Sequence, residues 1–190
     1  MARFDPAQYA SPVAALLGEP RRLALDRGEP NRMAFDQLSA LDEARLSDGH
    51  PVRDWEMARA CLAGLWLYHD FLDESHRISQ SLHGREGSYW HGIMHRREGD
   101  YANAKYWFRR AGPHPIHEAL SLSARALAHD AGADAAFGGA SNKWDAAAFV
   151  DLCAAGCAGQ SDAADLCQRI QEREWQLLFD YCYRRAIGRD

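Results

Sequence analysis

The chain has 190 residues, 47% apolar and 26% charged, with a net charge of -5 and a pI near 6.0. That is one domain's length, with enough apolar material for a sizeable core. The acidic balance excludes a general nucleic-acid or anionic-membrane binder, and no apolar run approaches the roughly 20 residues that a membrane span needs.

MARFDPAQYASP, at the start, has no apolar signal core, so export is not expected. The five cysteines, Cys61, Cys153, Cys157, Cys167 and Cys182, are an odd number set mostly in helical apolar patterns. Reduced, buried thiols in a cytoplasmic protein are the expectation. Cys153 and Cys157 are four apart, which stacks them on one helical face among core-type neighbours.

Five of the seven prolines fall at positions 6, 12, 20, 30 and 51. Proline removes a donor and breaks helices, so residues 1–52 read as short helices, 12–17 and 33–42, joined by irregular chain. This segment is expected to wrap over a helical body, 53–190, within a single domain. Residues 54–80 read as one long helix, because Met57, Cys61, Leu65, Tyr68 and Leu72 form a stripe at steps of three and four. Gly84 and Gly87 mark a turn before a helix over about 88–98. Gly99-Asp100 breaks that helix, and Asp100 suits the cap of the next, about 101–110. Gly112-Pro113 stops the latter. Helices follow at about 115–130, 143–157 and 161–187, the last with Ser161 as its expected cap, and 131–142 reads as a loop. His83, His114 and His117 read as turn residues. No segment alternates with period two, so the fold class is all-α: a single-domain helical bundle with a helical hairpin at about 88–111.

That hairpin resembles part of one tetratricopeptide repeat. Gly92, the Gly99-Asp100-Tyr101 turn, Ala104, Phe108 and Ala111 stand where that repeat places its small, turn and packing residues. Ser88, His91 and His95 depart from its Trp, Leu and Tyr, and nothing similar recurs about 34 residues away. One such unit makes a hairpin and not a solenoid. The runs YWHGIMHRREGDYANAKYWFRRAG, KWDAAAFVDLC and QEREWQLLFDYC resemble those of an uncharacterised family of bacterial and fungal helical proteins, over roughly residues 53–187. That resemblance implies an all-helical cytoplasmic protein and brings no activity with it.

Two groups of residues could carry chemistry. His69, Asp73 and His76 are spaced i, i+4, i+7, as are His91, His95 and Glu98, so each triplet lies on one helical face. If the two faces met, they would form a mixed His and carboxylate site suited to Zn, Fe or Mn, with a metal-bound water as nucleophile. The same spacing suits core-edge histidines bonded to backbone or carboxylate. Arg96 and Arg97 close one helix and Arg109 and Arg110 the next, which fits the helix dipole. Arg96 and Arg97 could also form a small-anion pocket.

The aromatics Trp55, Trp66, Trp90, Tyr101, Tyr106, Trp107, Phe108, Trp144 and Trp175 read as core. No glycine-rich phosphate loop and no Gly-x-Ser-x-Gly elbow is present. The first functional expectation is therefore a binding or scaffold domain that takes a peptide or protein partner on helices 88–111. A metal-binding protein or metal-dependent enzyme centred on the histidines is the alternative, and a small-anion pocket is the third.

Overall fold

The computed structural model describes residues 4–133, 143–159 and 163–189, and among these it forms nine α-helices and no strand. They are α1 (Ser11–Leu17), α2 (Phe35–Ala40), α3 (Trp55–Tyr68), α4 (Leu72–Ser79), α5 (Arg85–Glu98), α6 (Tyr101–Ala111), α7 (His117–Asp130), α8 (Ala146–Cys157) and α9 (Ala164–Ala186). The all-α class follows from these elements, and so does the bundle.

Side-chain caps set three of the nine helix starts. The carboxylates of Asp54, Asp100 and Asp145 accept from the amides of Met57, Asn103 and Ala148 at 3.0, 3.1 and 3.0 Å. Each satisfies one of the orphan donors of a first turn. Gly99 ends α5 at φ 83°, and Asp100 N–H returns to His95 O at 3.0 Å, a left-handed termination that turns the chain at once into α6. The expected cap Ser161 and most of the expected loop lie outside the described residues.

The stripe over 54–80 is not one helix. It divides into α3 and α4 at His69–Phe71, where Asp70 adopts φ 65°. No glycine or proline announces this break. It is held by distant chain: Asn31 N–H donates to His69 O at 2.9 Å, and Asp70 receives Arg21 at 2.7 Å and Arg97. α5 begins at Arg85, a turn earlier than its apolar pattern suggests.

α5 is the central helix. It packs on α3, α4, α6 and α8, while α9 packs on α3, α7 and α8. Twelve of its fourteen residues are buried, so little of it is left as surface. Gly64 on α3 lets the layers close: a Cβ there would stand 2.8 Å from the Trp90 ring, and Trp175 Nε1 donates to Gly64 O at 2.8 Å. Gly92 lies similarly against Phe108 of α6. The segment before α3 wraps this body. Tyr9 sits edge-on to Phe179 and Tyr183, and Gln171 donates to Ala24 O at 2.8 Å.

Two aromatic expectations need correction. Trp55 is 59% exposed and Tyr106 is 49% exposed, because each sits on the solvent side of its helix. Cys153 and Cys157 do not pair, since Cys153 is buried and Cys157 exposed. Cys153 instead meets the Cys167 thiol across α8 and α9. No helix among the described residues is long and apolar enough to cross a membrane.

Candidate metal centre

His91 and His95 stand one turn apart on α5 and are 2% and 6% exposed. α4 packs against α5 and brings His76, half-buried, to the same place. One ring nitrogen from each of the three lies within 4.8 Å of the others. The His91 and His95 rings stack at 4.7 Å, and the His76 ring stands edge-on to both, at 4.6 and 5.3 Å.

The outer wall is one face of α6, built by residues spaced i, i+4, i+7. Trp107 lies flat on His91 at 4.0 Å with 12° between planes, and the Arg110 guanidinium lies over the Trp107 ring, 5.1 Å from its centroid. Asn103 Nδ2 is 3.2 Å from His95 Nε2, and Glu98 Oε2 is 3.3 Å from His95 Nδ1. Nδ1 of His91 is buried with no hydrogen-bond partner.

Burial disfavours the imidazolium, and three rings this close disfavour it further. His91 is pushed down to about 3, by burial first and then by His95, His76 and Arg110. His95 is lowered too, by burial and then His76, with Glu98 and Asp100 acting in the opposite direction. Both rings are therefore neutral at neutral pH, the state in which imidazole is a metal ligand.

The six residues of the two triplets do not all converge. His69 sits at the α3–α4 break with both ring nitrogens engaged: Nε2 is 3.0 Å from Leu16 O, and Nδ1 is 3.1 Å from Asn31 Nδ2. Desolvation, then Arg21, lowers it to about 4. Its place is structural, because the break turns α4 away from the line of α3. Asp73 and Glu98 are joined by Arg27, at 2.8 and 2.7 Å. Glu98 thus lies at the edge of the cluster, beside His95, and Asp73 is exposed outside it.

Arg96 and Arg97 are corrected more sharply. Both guanidinium groups are buried, at 0% and 1% side-chain exposure, and both charges already face a carboxylate, although Nε and Nη1 of Arg96 have no hydrogen-bond partner. Arg96 Nη2 meets Glu174 at 2.5 Å and Gln171 at 3.1 Å, with Phe108 and Phe149 rings over its planar face. Tyr89 donates to the other oxygen of Glu174 at 3.0 Å. Arg97 bonds Leu67 O, Asp26 O, Arg27 O and Asp70. An incoming anion would have to displace these partners.

Sequence reasoning missed Asn103, Trp107, Arg110 and Arg27. The α6 face carried the same i, i+4, i+7 spacing that singled out the histidines, so it was findable. Arg27, from the wrapping segment, gave no local signal. No family model, no curated protein and no solved structure matches the chain.

Proposed function

We propose that the protein binds a divalent transition-metal ion through His76, His91 and His95. One observation carries this reading: two neutral imidazoles are buried side by side, and His91 Nδ1 is left without a partner, beside a third imidazole. A buried polar atom without a partner costs about 1–3 kcal/mol, and a metal ion offsets that cost. Three imidazoles suit Zn or Fe and suit Mn least, which favours carboxylate and water ligands. Tetrahedral Zn–N bonds of about 2.0–2.1 Å place ligand nitrogens about 3.3 Å apart, so the trio contracts somewhat on binding. Glu98, 3.3 Å from His95 Nδ1, is placed as the outer carboxylate that orients a ligating imidazole, and an ion at Nε2 would take the place of Asn103. His76, the least covered member, marks the side from which an ion and any further ligand would enter.

The test is elemental analysis and zinc titration of the purified protein, beside a His91→Ala, His95→Ala double variant. The expected outcome is about one equivalent of metal in the native chain. The double variant is expected to lose at least about a hundredfold in affinity, roughly 2.7 kcal/mol. Less than about a tenth of an equivalent after supplementation with zinc and iron sinks the reading. So does a double variant that binds equally well.

A further inference from the structure

The face of α6 opposite the histidines builds a second site. Lys105, Phe108 and Arg109 border a cleft of about 720 Å³ whose other walls include His117, Lys143 and Trp144. That volume is in the range of small-molecule pockets, and the lining fits one ligand class. Phe108 and Trp144 give an apolar wall. Three cations border the cleft, Lys105, Arg109 and Lys143, against two carboxylates, Glu118 and Asp145, in a chain whose net charge is -5. Asp145 is engaged as the α8 cap, and Lys105 is held by Asp151 at 2.5 Å. Arg109 is exposed and has no carboxylate partner among the described residues.

Helix geometry adds to this charge. The first residues of α7, His117 and Glu118, and of α8, Ala146 and Ala147, all border the cleft. A helix start presents unpaired amides and partial positive charge, which favours an anion. His117 Nδ1 accepts from His114 N–H at 3.3 Å, so the neutral ring carries its proton on Nε2. That Nε2 has no partner, and burial keeps the ring neutral by pushing it down to about 4.

We propose that this cleft binds a small organic carboxylate, its acid group at Arg109 and His117 Nε2–H, its apolar body against Phe108 and Trp144. The site is independent of the histidine cluster, because Lys105, Phe108 and Arg109 face away from Asn103, Trp107 and Arg110 on the same helix.

Isothermal titration with 4-phenylbutyrate, 4-phenylbutanol and phenyl phosphate tests this on the full chain. The butyrate is expected to bind about tenfold or more tightly than the alcohol, since a hydrogen bond to a charged group is stronger than one to a neutral group. Arg109→Gln, at an exposed position, is expected to reduce butyrate affinity about tenfold with the melting temperature unchanged. The His91→Ala, His95→Ala variant is expected to bind butyrate as the native chain does. Equal binding of acid and alcohol overturns the proposal, as do no binding by any probe and an Arg109→Gln variant of unaltered affinity. Tighter binding of phenyl phosphate overturns the choice of a carboxylate and assigns the cleft to phosphate.

Discussion

Two sets of buried polar side chains share α5, and they are treated differently. Arg97 is enclosed by three carbonyls and a carboxylate, and Arg96 by Glu174, Gln171 and two aromatic faces. One residue before them stands His95, and one turn before that His91, whose Nδ1 has no hydrogen-bond partner at equal depth. Matched burial of a charge holds a fold together, whereas unmatched burial of a ligand atom costs stability. The contrast is between buried charges that each meet a carboxylate, even where Nε and Nη1 of Arg96 go unbonded, and a buried neutral imidazole nitrogen that meets nothing.

The strongest way to break this comparison is at the arginines. Arg97→Ala leaves Asp70 buried with only Arg21 for company, and a loss of about 3–5 kcal/mol in urea unfolding is expected. A loss below about 1 kcal/mol would mean that the pair is not structural. Next comes acid. His69, His91 and His117 sit at about 4, 3 and 4, below the ordinary value of 6.5, and His95 is lowered too. The unfolded chain therefore takes up protons that the folded chain refuses. Their contribution is complete above about 6.5 and is lost as pH falls from there toward the folded values, each group adding a slope of at most about 1.4 kcal/mol per pH unit. Urea midpoints of the metal-free protein at pH 7 and 5 check this. The His91→Ala, His95→Ala variant is expected to lose less on acidification.

A smaller effect sharpens the metal reading. Glu98→Ala removes the carboxylate beside His95 Nδ1, and zinc titration is expected to show affinity about tenfold weaker. The smallest concerns His91 alone. His91→Phe keeps the stack on Trp107 and removes the unpartnered nitrogen, so the metal-free variant is expected to be as stable as the native chain or up to about 1 kcal/mol more stable. A loss of about 3 kcal/mol or more would place His91 with the arginines, as a structural group.

What could be read from the sequence was what short-range chemistry decides. Asp54, Asp100 and Asp145 are N-caps by residue type and position, Gly99 is a left-handed stop, and His91 and His95 share a face because four residues make one turn. What escaped was decided across the chain. Arg96 and Arg97 looked like helix-end cations because Glu174 lies 78 residues away and Asp70 27 residues away, and neither is marked as a partner. The division of 54–80 escaped for the same reason. Asp70 has no local motive for φ 65°, and only two arginines and Asn31 supply one. His69 was joined to His76 by a helix that is not continuous, so His69 was misplaced and His76 was not, while Asp73 fell outside the cluster on the exposed side of α4.

That break at Asp70 also ties the histidine trio to a distant clamp. His76 reaches α5 only on the far side of the bend, and the bend is clamped by Arg97, which lies on α5 itself two residues beyond His95. The ion pair and the histidine trio are thus two readings of one alignment between α4 and α5. A nascent or partly melted chain has His91 and His95 one turn apart but lacks the third imidazole until that alignment is reached. If the trio binds an ion as proposed, capture is conditional on a completed tertiary structure, and a partly folded chain offers two imidazoles where the folded one offers three.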